Sequence, residues 1–82
     1  MRYVLYHAIW CPFCRAFAPK FREMVPDGEE VLLNDEMDPR WIELNISLIP
    51  TIIAFKGERE IRRVQARAHI GISEDMLAKF LE

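Results

Sequence analysis

The chain has 82 residues, 51% of them apolar and 11% aromatic, with 11 basic against 13 acidic side chains for a formal charge of −2. That length supports one domain, residues 1–82, with a modest core. The apolar content excludes a disordered chain, the near-balanced charge excludes a dedicated polyanion binder, and no apolar run approaches the ~20 residues of a membrane helix, so neither nucleic acid nor membrane is an expected partner.

Residues 2–9, rich in Tyr, Val, Leu and Ile, read as a mostly buried strand. The chain enters this strand from Met1 without a leader core or cleavage site, so a reducing, cytoplasmic location is expected. The period then changes: Phe13, Phe17, Phe21 and Met24 recur at helical spacing and share one face. Pro26-Asp27-Gly28 ends that helix with turn chemistry. Val31-Leu32-Leu33 suits a second buried strand, and Asp38-Pro39 reads as an N-cap acid followed by proline at the first position of a short helix through Trp41, Ile42 and Leu44.

Thr51-Ile52-Ile53-Ala54-Phe55 is continuously apolar, as a central strand is. Lys56-Gly57-Glu58 turns the chain into a returning strand over 59–66, loaded with charge. Its arginines, Arg59, Arg62, Arg63 and then Arg67, alternate with Glu58 and Glu60, the pattern of a solvated face. Such an edge resists pairing with other chains, so a monomer is expected. Ile61 and Val64 break strict alternation there, which calls for a bulge or leaves the register of the strand open. Ser73 caps a last helix with Glu74 and Asp75 in its first turn and Met76, Leu77, Phe80 and Leu81 as its apolar stripe. The order is β-α-β-α-β-β-α, an α/β fold. The first two strands run parallel across a helical crossover and the closing hairpin is antiparallel, which gives a four-stranded mixed sheet with helices on both faces.

The only two cysteines, Cys11 and Cys14, stand where the first strand hands over to the first helix, inside Trp10-Cys11-Pro12-Phe13-Cys14. A disulfide across so short a loop does little to staple a fold, so the pair calls for a chemical explanation. Unpaired N–H groups and the positive end of the helix dipole stabilise a thiolate at the first cysteine, and Pro12 fits the first helical turn, where no N–H partner is needed. Such surroundings lower a thiol pKa from ~8.5 to roughly 3.5–7.5. The three-residue offset leaves Cys14 within reach and better buried. In this reading Cys11 attacks a disulfide, and Cys14 resolves the mixed disulfide. A mononuclear metal centre needs two further ligands, and the two histidines, His7 and His69, fall on different segments: His7 on the first strand, His69 in a solvated loop. A cluster bridging two chains through Cys11 escapes that count and stays open. No cofactor motif is present, and no cofactor is expected.

These residues resemble the thioredoxin and glutaredoxin families over nearly the whole chain. Trp10-Cys11 before a helix is similar to the thioredoxin W-C-x-x-C, and Pro19 falls where thioredoxins kink their first long helix. Ile49-Pro50-Thr51 ahead of an apolar strand resembles the family's cis-proline loop. The dipeptide in Cys11-Pro12-Phe13-Cys14 is closer to the glutaredoxin C-P-Y-C, and Ile70-Gly71-Ile72-Ser73-Glu74-Asp75 echoes, less one glycine, the glutaredoxin segment that holds glutathione. The resemblance implies a thioredoxin-like fold and a thiol–disulfide oxidoreductase acting on disulfide-containing proteins, recharged by an external reductase or a low-molecular-weight thiol. It also implies a cis bond at Pro50, with the Ile49 backbone free to pair with an extended substrate. An apolar collar of Trp10, Pro12, Phe13, Ile49 and Pro50 would then surround the Cys11 sulfur. Two rivals remain: a glutathione-linked glutaredoxin, and a non-enzymatic Fe–S cluster-carrying or interaction module on the same fold. Thioredoxins commonly carry a buried acid six residues before the first cysteine; Leu5 stands there.

Overall fold

Arg2–His7 forms strand β1, with Val4 to His7 all buried, because both faces of the sheet are covered at this strand. The computed structural model describes residues 1–82 and continues with helix α1 (Pro12–Met24), β2 (Glu29–Leu32), α2 (Arg40–Glu43), β3 (Thr51–Lys56), β4 (Arg59–Gln65) and α3 (Glu74–Leu81). The sheet order is β2-β1-β3-β4. β1 pairs parallel with β2, and antiparallel with β3, which pairs antiparallel with β4. No helix is long and apolar enough to cross a membrane.

Strand alternation divides the core into two. On the α1 and α3 side, Leu5, Ile52 and Ala54 meet Phe17 and Phe21 of α1 and Leu77 and Phe80 of α3. On the other side Val4, Tyr6 and Ile53 meet Leu33 and Ile46, with Trp41 and Leu44 packed against them. The helices thus lie on both faces, as the element order requires.

Three local expectations are corrected. The second strand is an edge, not a buried one: Glu29, Glu30 and Leu32 are exposed, Val31 is half-buried, and Leu33 enters the core only after the strand ends. The helix after Asp38-Pro39 is a single turn with Pro39 at its N-cap. Asp38 instead bonds Arg40, accepting from its backbone N–H at 2.9 Å and from its guanidinium, which holds the Asp38 carboxyl down at about 2. The first strand ends at His7, so Ile9 is exposed rather than sheet-bound. The bulge in the returning strand is present. Ala54 faces Arg62 while Phe55 faces Glu60, so Ile61 is the extra residue. Ser73 Oγ accepts the Met76 N–H at 3.1 Å, and Met76 Sδ takes the place of the usual carboxylate in returning a contact to the Ser73 N–H.

Candidate functional site

Leaving β1, the chain turns sharply through Ala8-Ile9-Trp10, and the turn is latched by a residue from the loop after β2. The Asn34 side-chain oxygen accepts the Ile9 N–H at 2.9 Å, and its carbonyl accepts the Trp10 indole N–H at 2.8 Å. The Cys11 N–H donates back to the Ala8 carbonyl at 3.3 Å. Cys11 is thereby left with extended backbone angles, φ −96° and ψ 113°, as the N-cap of α1, with Pro12 opening the helix.

At this N-cap a sulfur does what a serine oxygen usually does. Cys11 Sγ accepts the Cys14 backbone N–H at 3.2 Å. Cys11 is 6% exposed and Cys14 is fully enclosed; the two pack with Ala8 into a small cluster of their own, closed by Ile49. Both thiols are free. Burial, followed by the hydrogen bond with Cys11, pushes the Cys14 thiol up to about 12, so it holds its proton at neutral pH.

The Ile49–Pro50 peptide bond is cis, and the Ile49 carbonyl oxygen lies 3.9 Å from Cys11 Sγ. The Pro50 carbonyl accepts the Ala66 N–H at 3.0 Å, which ties this loop to the end of β4. The structure therefore brings together Cys11, Cys14 and Ile49. Trp10 is 48% exposed beside them in sequence, Pro12 is exposed, and Phe13 is 42% exposed. Phe13 thus departs from the buried face it was expected to share with Phe17 and Phe21. It leans on Gly71, where a φ of +78° and Phe13 side-chain atoms 3.1 Å from a Cβ built there make any side chain strained and tight. Pro50 is fully buried, so four of the five expected collar residues present surface, Ile49 least of them.

Three participants escaped the sequence reading. Ala8 was assigned to the strand, although the apolar character of its neighbours gave no sign that it packs on the cysteines. Asn34 reads as an ordinary turn residue, and its two partners are 24 and 25 positions away. Gly71 figures in the sequence only within the glutaredoxin-like segment 70–75, with nothing that names Phe13. The histidines stand apart from each other: His69 is exposed with φ +66°, while His7 is buried at 8% exposure with Nε2 3.2 Å from a Glu30 carboxylate oxygen. No three metal-ligating side chains are grouped.

A four-stranded mixed sheet with helices on both faces and a C-x-x-C pair at the first strand–helix junction, opposite a cis-proline loop, defines a thioredoxin-fold dithiol protein. The thioredoxin family model matches residues 2–82. Similar proteins include an H-type thioredoxin of Brassica campestris, 32% identical over 79 residues that cover 92% of this chain and 61% of that protein. A thioredoxin of Echinococcus granulosus is 32% identical over 84% of this chain and 68% of its own length. In three dimensions the chain resembles Plasmodium falciparum thioredoxin with a TM-score of 0.80 at 21% identity, over 98% of this chain and 81% of that one. It also resembles spinach chloroplast thioredoxin f, with a TM-score of 0.77 at 23% identity over 96% and 65%. The chain belongs to the thioredoxin family. It spans about six tenths of the length of the Brassica relatives it matches.

Proposed function

We propose that this chain is a thiol–disulfide oxidoreductase that reduces protein disulfides, with Cys11 as the attacking sulfur and Cys14 as the resolving one. The observation that carries the reading is the asymmetry of the pair. Cys11 Sγ caps the helix and accepts an N–H, an arrangement that suits a thiolate, whereas Cys14 is sealed behind it and keeps its proton.

The chemistry follows in two exchanges. The Cys11 sulfur attacks one sulfur of a substrate disulfide; an S–S bond forms, the substrate S–S bond breaks, and one substrate thiolate leaves. Cys14 then gives up its proton and attacks Cys11 Sγ, which breaks the mixed disulfide and releases the second substrate thiolate. The substrate gains two electrons and two protons, one proton from Cys14 and one from solvent, and the Cys11–Cys14 disulfide must be reduced by an external reductase or a low-molecular-weight thiol. Leu5 offers no acid to take the Cys14 proton, so solvent or the departing thiolate accepts it. The Ile49 carbonyl beside Cys11 Sγ supports pairing with an extended substrate backbone, and exposed Trp10, Pro12 and Phe13 supply apolar contact around it.

Insulin reduction driven by dithiothreitol tests this reading. The parent protein accelerates precipitation of the insulin B chain, and Cys14→Ser accumulates a covalent adduct through Cys11 with no second exchange. Activity confined to glutathione mixed disulfides would overturn the protein-disulfide assignment.

A further inference from the structure

The bulge in β4 brings together two charged side chains that a regular strand would separate. Across the β3–β4 pair Phe55 faces Glu60 and Ile53 faces Arg63, with Ile61 as the extra residue between them. Directly opposed residues share a face of the sheet, and Ile53 and Phe55 both pack on the side of Leu33 and Ile46. Residues three apart on an unbroken strand point to opposite faces. With the bulge, Glu60 and Arg63 stand on one face and join through two hydrogen bonds, 2.7 Å from Nε and 2.6 Å from Nη2.

The pair reaches beyond the strand. Arg63 Nη2 donates to the Leu44 carbonyl at 2.8 Å and Nη1 to the Asn45 carbonyl at 3.1 Å. These carbonyls end the α2 turn, where Leu44 is the C-cap and Asn45 takes a left-handed φ of +53°. The loop to Ile49–Pro50 starts here. Ile46 anchors it in the core, its N–H on the Trp41 carbonyl at 2.8 Å. After that the N–H groups of Ser47, Leu48 and Ile49 find no acceptor in the protein. At the far end the Thr51 hydroxyl donates to the Leu48 carbonyl and the Ala66 N–H to the Pro50 carbonyl. Arg63 is thus the one side chain that reaches across from the edge strand to hold the root of this loop.

We propose that Arg63, steadied by Glu60, is a positioning residue for disulfide exchange. It fixes the turn at Leu44–Asn45 and, through it, the Ile49 backbone that receives the substrate beside Cys11. The inference rests on the reductase reading above. Pairing with an extended substrate needs the Ile49 N–H and carbonyl held at strand spacing, and play of about an ångström in such a group is costly. Without the guanidinium fork, two carbonyls lose their donor and the left-handed Asn45 loses the contacts that hold it. The sulfurs themselves are untouched, because Cys11 and Cys14 are set by the α1 N-terminus.

Two disulfides separate loop position from sulfur reactivity: insulin offers backbone to pair with, and hydroxyethyl disulfide offers none. Arg63→Met keeps the aliphatic stem and removes the fork. It should raise KM for insulin at least about threefold, with the rate on hydroxyethyl disulfide within about twofold of the parent's. Amide exchange at Ala66, whose N–H bonds the Pro50 carbonyl, should quicken at least about threefold. Arg63→Lys, with a single donor head, should fall between, and Arg59→Met, at an exposed β4 arginine outside every salt bridge, should match the parent. Should Arg63→Met not fold, Glu60→Gln removes the carboxylate alone and should move KM and Ala66 exchange the same way by about twofold. A parent that reduced no insulin would defeat the reductase reading, while Ala66 exchange would still decide the role of Arg63. Equal losses on both disulfides, or parental KM and Ala66 exchange in whichever variant folds, would overturn the proposal.

Discussion

Between Ala8 and Cys14 the chain is held by hydrogen bonds that each engage a backbone group, namely the Asn34 latch, the Cys11 N–H on Ala8 and the Cys14 N–H on sulfur, with Trp10 and Phe13 turned partly to solvent. Between the sheet and its two long helices the chain is held by side chains instead, with Phe17, Phe21, Leu77 and Phe80 interlocked over Leu5, Ile52 and Ala54. The first region positions two sulfurs in a cluster of only three small buried residues. The second buries most of the apolar surface and touches no chemistry. Activity and stability should therefore separate by mutation, and that separation can be attacked from both sides.

The largest effect belongs to the corner. Cys11→Ser should lower insulin reduction by at least ~100-fold while leaving the melting temperature close to the parent's. A large loss of stability would show that the corner is structural after all. Phe21→Ala should do the reverse, costing about 3–5 kcal/mol in urea unfolding while the folded fraction keeps the parent's reactivity at Cys11. Gly28→Ala strains the same layer from outside, since a Cβ there meets the Phe21 ring at 2.6 Å; a loss of about 1–3 kcal/mol is expected.

The strip between the regions, where His7, Glu30 and Arg22 join β1, β2 and α1, should respond to pH. His7 has its folded-state pKa below the unfolded 6.5, so the unfolded chain binds the proton more readily. Stability is then undiminished above about pH 6.5 and falls as pH drops below it. Glu30 is depressed, first by its hydrogen bond to Arg22. Its contribution is complete above the unfolded value of 4.5 and is lost as pH falls through the lower, folded value. Melting temperatures between about pH 7 and 3 should show the first decline vanish in His7→Gln and the second persist. The smallest effect lies furthest from the sulfurs: Ser73→Ala removes one helix cap and should cost about 1 kcal/mol with turnover unaltered.

The two regions also differ in how plainly they are written in the chain. The helical spacing of Phe17 and Phe21, the apolar run Thr51–Phe55 and the Ser73 cap announce the side-chain-held layer, because periodicity reports which residues share a face. The broken alternation at Ile61 and Val64 even marks the bulge. The cysteine corner was legible in its residue types and spacing, and the cis Ile49–Pro50 loop beside Cys11 only through the family resemblance. Its geometry depends on contacts between distant segments, Asn34 with Trp10, Gly71 with Phe13, Ile49 with Cys11, and such pairs leave no periodic trace. Edge strand β2 was misread as buried for a related reason. Val31-Leu32-Leu33 is apolar, but which strand ends up at the rim of a sheet is decided by topology, not by local composition.

The asymmetry of the two sulfurs is tested most directly by alkylating the native reduced protein with iodoacetamide at neutral pH and mapping the modified cysteine by mass spectrometry against time. The account predicts that Cys11 is modified alone, and that Cys14 reacts only once the chain is unfolded. Modification of Cys14 at a comparable rate in the folded protein would contradict it.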